Sequence, residues 1–192
     1  ERLDIRNNRR VLATSNNQQI YRIGSSDKKY DWAGYADFMQ NKMIDMFWQT
    51  YGTGKYLTHS YHINPDSVNR GFNYWWMAHV IDVMADGYER TNDNVYQERM
   101  KNVYNAMLSY GRNNYGRNDL WNGFFDDMEW MGLASQRAAK CYLPNTMWNT
   151  AFNNASVQLW GWIKNGWNSN NGGGIQWVDS QPWSKNACSN AP

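Results

Sequence analysis

The residues best suited to chemistry lie in the run Gly123-Phe124-Phe125-Asp126-Asp127-Met128-Glu129-Trp130, where two consecutive carboxylates sit among aromatic rings. Cleaving a glycosidic bond calls for such a pair. One carboxylate is ionised, to attack or stabilise the anomeric carbon; the other holds a proton for the leaving oxygen. Two like charges side by side in partly apolar surroundings separate their pKa values, and a helix N-terminus favours the ionised member. Retaining enzymes hold the two carboxyl groups roughly 5–5.5 Å apart and inverting ones about 6.5–9.5 Å. Neighbouring Cα atoms are about 3.8 Å apart, so adjacency favours retention if both side chains enter one cavity. A plainer reading uses the same residues. Asp126 followed three positions later by Glu129 has the spacing of an acidic capping box, which would make Asp127 an ordinary first-turn acid. Spacing alone does not separate the two.

Other chemistry-bearing types are more scattered. His79 falls at helical spacing from Trp75 and Asp82; it could contact a substrate, but a buried histidine bonded to Asp82 is the expectation. His59 and His62 flank Tyr61 in an expected loop. Three dispersed histidines without an H-E-x-x-H pattern predict no metal site. Gly172-Gly173-Gly174 lacks the G-K-[ST] ending of a phosphate loop, so its glycines serve a sharp turn or a close backbone approach. There is no nucleophile elbow and no dinucleotide fingerprint, and no cofactor is expected.

The elements that must position these residues are helical by period. Trp32, Tyr35, Met39, Met43, Met46 and Phe47 form one apolar stripe of a helix over 32–50, closed by Gly52 and Gly54. A second helix over 72–88 turns Tyr74, Ala78, Ile81, Met84 (or Ala85) and Tyr88 inward, with Trp75, His79, Asp82 and Asp86 on its other side. A third over 94–110 buries Tyr96, Met100, Val103 and Met107. A fourth covers 125–141. A fifth covers 145–163, with Trp148, Phe152, Ala155, Leu159 and Trp162 in register. Asn186-Ala187-Cys188-Ser189-Asn190 could open a sixth. Residues 1–30 lack a period and predict an irregular lead-in, and nothing alternates as a strand would. Five helices with short connections suggest stacked hairpins, either a compact bundle or part of a toroid. In a toroid, every second helix points the same way. Tyr74-Trp75-Trp76, Asp126-Asp127 and the loop around Trp177 would then share one mouth.

The bulk numbers fit one domain. The chain has 192 residues, a net charge of +2 with acids and bases intermixed, and 12 Trp and 13 Tyr. No charge block points to nucleic acid or an anionic membrane. The longest apolar stretch, 74–84, is interrupted by His79 and Asp82 and is too short for a bilayer span. Rings beside abundant amides suit a sugar, which offers C–H faces to stack and hydroxyls to bond. Cys141 and Cys188 form no framework, and a bridge between them stays an open possibility. The charged opening Glu1-Arg2-Leu3-Asp4 does not read as a signal peptide; in an exported protein that segment would have been removed or not included.

Three segments together resemble a known family. Phe124 to Ala134 resembles the aromatic-Asp-Asp segment of glycoside hydrolase family 76, the α-1,6-mannanases. The Tyr74-Trp75-Trp76…His79…Asp82 helix is similar to that family's second helix. Gly172-Gly173-Gly174-Ile175-Gln176-Trp177, followed by Lys185-Asn186-Ala187-Cys188-Ser189-Asn190, looks like its glycine-rich loop and the helix start after it. The resemblance implies an all-α (α/α)6 toroid and endo-type, retaining hydrolysis of α-1,6-linked mannan. By motif position, Asp126 would be the nucleophile and Asp127 the acid/base, with Trp75, Trp76, Gly173, Gly174, Trp177 and Asn186 against the substrate. Gln176 departs from the family, which often has tryptophan there. Twelve helices do not fit in 192 residues at ordinary lengths. The chain is therefore expected to be a single catalytic domain's N-terminal half, needing a C-terminal portion to cover its flanks and to be fully active. A polymeric substrate implies an extracytoplasmic location. The alternative is a non-catalytic glycan-binding protein on the same scaffold, and behind it a helical interaction module of repeat type.

Overall fold

The structure, a computed structural model, describes residues 30–59 and 71–191. The lead-in expected before Tyr30, and Tyr61 and His62, lie outside the described residues. The chain divides into two compact units, 1–38 and 39–192. Within the first, Asp31 starts helix α1 (Trp32–Phe47) by accepting Gly34 N–H at 2.8 Å on its side chain and Tyr35 N–H at 3.0 Å on its carbonyl.

Four further helices build the second unit around one core: α2 (Tyr74–Thr91), α3 (Asn94–Tyr115), α4 (Phe125–Lys140) and α5 (Met147–Asn165). Helix α2 packs on both α3 and α4, and α4 packs on α5. Tyr104 of α3 meets the rings of Trp148 and Phe152 on α5. These successive helical hairpins give the all-α fold expected of part of a toroid. The inward stripes follow the helical period: Tyr74, Ala78, Ile81 and Met84 are buried from α2, and Tyr96, Met100, Val103 and Met107 from α3. From α5 the buried positions are Phe152, Ala155 and Leu159, with Trp148 and Trp162 half-buried. Boundaries are set by capping. Asp93 accepts Val95 N–H at the start of α3, Gly116 closes it in the left-handed region at φ +65°, and Thr146 caps α5.

Two expectations fail around α1. The helix stops at Phe47, and Trp48–Tyr51 (β1) pairs antiparallel with Gly54–Leu57 (β2). Strands of four residues are too short for alternation to register. Gly52, at φ +56°, makes the turn, and Gly54 lets the hairpin lie against α3, where a Cβ would stand 2.2 Å from Ala106 N and Asn102 O. The apolar stripe is not the packing face either. Trp32, Met39, Met43 and Met46 are exposed, and the buried residue of α1 is Gln40. Its amide donates to Val83 O at 2.9 Å and accepts from Tyr96 and Arg90. The part of α1 from Met39 on, which belongs to the second unit, thus joins the core through a polar anchor. Met43 and Phe47 line an apolar cavity of about 450 Å3 with Trp75, Trp76, His79 and Val83.

A second short ladder, Trp167–Asn168 (β3) with Gly174–Ile175 (β4), follows α5. No sixth helix forms among the described residues. Instead Asn186 accepts Ser189 N–H at 2.9 Å, the geometry of a capped first turn. Cys141, buried, and Cys188, exposed, are both free thiols. No helix is long and apolar enough to cross a membrane, and no cluster of metal-binding side chains occurs among the described residues.

Candidate active site

The aspartate pair lies in the first turn of α4. The helix is capped by Phe124, whose side chain satisfies none of the free N–H groups. Those donors are taken up in other ways. Phe125 N–H donates to Trp177 O at 2.9 Å, and Asp127 N–H donates to the Asp126 carboxylate at 3.0 Å. The loop after β4 is therefore clamped over the helix start. Phe124 bridges Val178, Asp179 N–H bonds Gly123 O at 2.8 Å, and the rings of Phe124 and Trp177 lie 5.4 Å apart. The capping-box arrangement fails here: Asp126 stands inside the helix, and Glu129 Oε2 is enclosed with no hydrogen-bond partner among the described residues.

The two carboxylates have different partners. Asp126, 7% exposed, accepts the Trp177 indole N–H at 3.0 Å in addition to Asp127 N–H. Asp127 accepts one donor, the Asn122 amide, at 2.8 Å. Burial raises the Asp126 carboxyl, but both N–H donors and the helix start oppose the rise. Burial and the neighbouring Asp126 charge together push Asp127 up to about 7, with only Asn122 opposing. Asp126 is the more readily ionised of the pair: burial lifts Asp127 further, the Asp126 charge adds to that rise, and Asp126 has two N–H donors against one. Glu129 is likewise raised to about 7 by burial and by Asp126.

The loop ahead of α4 is tied to α2 by one hydrogen bond and braced within itself by two contacts. Tyr74 of α2 donates to Leu120 O at 2.6 Å, Asp119 accepts Trp121 N–H at 3.0 Å, and Arg117 bridges Asp119 at 2.9 Å. Asn122, 2% exposed, accepts Phe124 N–H at 3.1 Å.

Aromatic rings extend the site along α2 and α4. Trp75 lies 5.4 Å from Trp130, one turn beyond Asp126, and 5.6 Å from Trp76 and from His79. Of the segments expected at one mouth, Trp177 bonds Asp126 directly, Tyr74 bonds the loop ahead of α4, and Trp75 reaches α4 through Trp130. His79 differs from expectation. It is exposed, with its ring against Trp75 and Trp130. Asp82 is held instead by Arg137, which also bonds Asp86 and Glu89 and so ties α4 to α2. The glycine loop is braced from beneath. Gly172, Gly173 and Gly174 have φ of +91°, +89° and +126°; Lys185 donates to Gly174 O at 2.8 Å, and Asn190 bonds Ile175 twice. Asn186 spends its side-chain oxygen on Ser189. Gln176 is buried against Asn168.

Residues 25–192 match the glycosyl hydrolase family 76 profile. The chain belongs to that family. Solved structures similar to it include the GH76A α-1,6-mannanase from Salegentibacter sp. HEL1_6, at 36% identity over 83% of this chain with a TM-score of 0.66. Two inactive variants of that enzyme, each with two consecutive aspartates replaced, are also similar. One is in complex with α-1,6-mannotetrose (35% identity, 84% of this chain, TM-score 0.66), the other with α-1,6-mannotriose (36% identity, 83%, TM-score 0.67). The chain spans 42% of the length of these structures. No curated protein matches it. Within the family 76 fold, sequence reasoning missed Asn122, Trp130 and the Trp177 hydrogen bond. Trp130 was foreshadowed by its position one helical turn beyond Asp126. Nothing in the sequence distinguishes Asn122 from the other asparagines.

Proposed function

We propose that this chain carries the catalytic aspartates of a retaining, endo-acting α-1,6-mannan hydrolase that works outside the cytoplasm. Asp126 attacks the anomeric carbon, and Asp127 protonates the departing oxygen and then activates water. The observation that carries this reading is the unequal partnering of two adjacent carboxylates. Asp126 takes two N–H donors, which oppose the rise that burial imposes, whereas Asp127 takes one and is pushed up to about 7. The solved inactive mannanase variants support it, because each lacks two consecutive aspartates and Asp126-Asp127 is the single such pair in this sequence. Trp75, Trp130 and the partly exposed Trp177 offer ring faces to a pyranose beside them. Trp76, Gly173, Gly174 and Asn186 complete the proposed substrate side, the glycines by letting backbone approach the sugar. The fragment acts as part of a single catalytic domain.

Incubation of the whole catalytic domain that contains this chain with α-1,6-mannan, followed by proton NMR and chromatography, tests this. First-formed α-anomers and a spread of oligosaccharide lengths are expected. First-formed β-anomers would remove retention, mannose alone would remove endo action, and binding without cleavage would leave a glycan-binding protein.

A further inference from the structure

We infer that Asn122 is a positioning residue that fixes which oxygen of Asp127 carries the transferable proton, a role that rests on the acid/base reading of that aspartate. The Asn122 amide has no freedom to turn over. Its oxygen accepts Phe124 N–H at 3.1 Å and lies 3.4 Å from the Tyr115 hydroxyl, so both donors demand the carbonyl end on that side. Its NH2 must then face Asp127, and donates to Oδ2 at 2.8 Å. An oxygen that accepts this bond is the carbonyl oxygen of the protonated carboxyl, which leaves Oδ1 as the O–H. The proton is thereby directed away from the buried Asn122.

The arrangement is built into the fold. Asn122 is 2% exposed and is linked through Tyr115 to Tyr110, which share a hydrogen bond on α3. Asp127 sits where several elements converge. Tyr74 faces it from α2, Tyr110 and Tyr115 from α3, and Asp126 from its own helix, with Glu129 beyond Asp126. Asp119, paired with Arg117, lies on the same loop as Asn122. None of these phenols is charged near neutral pH. Among the described residues, the hydrogen bond that Asp127 accepts against the Asp126 charge is thus the one from the Asn122 amide.

The test is a carboxyl-carbon NMR titration of Asp127 in the wild-type chain and in Asn122→Asp and Asn122→Ala, alongside mannan hydrolysis by the active enzyme. Asn122→Asp keeps an acceptor for Phe124 N–H and so preserves the helix start, while replacing the donor with a like charge. Its Asp127 midpoint is expected to rise by about one pH unit or more. Hydrolysis of mannan should fall tenfold or more, and that of an aryl α-mannoside with a good leaving group less than about threefold. Asn122→Ala should raise the midpoint by a smaller amount, provided its circular dichroism is native. An unmoved midpoint in a folded Asn122→Asp, or an equal loss on both substrates, overturns the inference. A shifted midpoint in a wild-type background that never cleaves mannan leaves Asn122 in place and removes the proposed function instead.

Discussion

Asp126 and Asp127 differ in surroundings rather than in chemistry. Burial, the neighbouring charge and the donor count together set the two apart, as the proposed nucleophile and acid require. The pH consequence has a definite sign. As the proposed acid, Asp127 would have to be protonated to act, so the rate on mannan should hold below about pH 7 and fall as pH rises through it. Asp127→Asn should cost roughly 10²–10⁴-fold on polysaccharide but far less on an activated aryl α-mannoside, and should erase the alkaline limb. An alkaline limb that persists in Asp127→Asn would assign it to another group, with Glu129 the first to examine. The aspartates themselves were legible in the sequence as a pair set among rings. Their inequality was not, since it comes from Trp177, 50 positions on from Asp127, and from Asn122, whose role depends on which way its amide faces.

The helices were legible wherever a stripe met a core. Tyr96, Met100, Val103 and Met107 repeat at three and four because α3 buries one face, and caps such as Asp93 and Thr146 mark its limits and those of α5. Periodicity misled in α1, where the methionine stripe is exposed and Gln40 makes the packing contact. The β1–β2 hairpin was hidden for another reason: its fit depends on a backbone approach that only the packed structure reveals. Gly54 faces the α3 backbone with no room for a methyl group. Gly54→Ala should therefore destabilise the protein by about 3 kcal/mol, lowering Tm by roughly 10 °C. Gly161→Ala, in α5 with open space around it, should stabilise by about 0.5–1 kcal/mol. Thermal melts of both variants check this, and equal shifts would mean the close approach is not real.

At the scale of the molecule, the site is a store of unfavourable burial. Asp126, Asp127 and Glu129 all have carboxyls raised above their ordinary values. The folded state therefore binds more protons than the unfolded chain between about pH 4 and pH 7. This contribution to stability is fully present at the acid end of that window and is lost as pH rises through it. Asp127→Asn should accordingly stabilise the fold at pH 8 by about 2 kcal/mol, after discounting for water reaching the site, and much less at pH 4. Denaturant melts at the two pH values measure it, and equal gains would show that charge is not the cause.

The chain spans 42% of its solved neighbours, yet the aspartates, the donors that separate them and the flanking rings all fall within it. The most direct measurement is peptide mass mapping after incubation of the active enzyme with a fluorinated α-mannosyl donor that forms the glycosyl-enzyme quickly and releases it slowly. The account predicts one mannosyl adduct, on the Asp126 carboxyl, which accumulates further when Asp127 is replaced by Gly. An adduct on Asp127, or β-configured product released with no adduct at any stage, would contradict it.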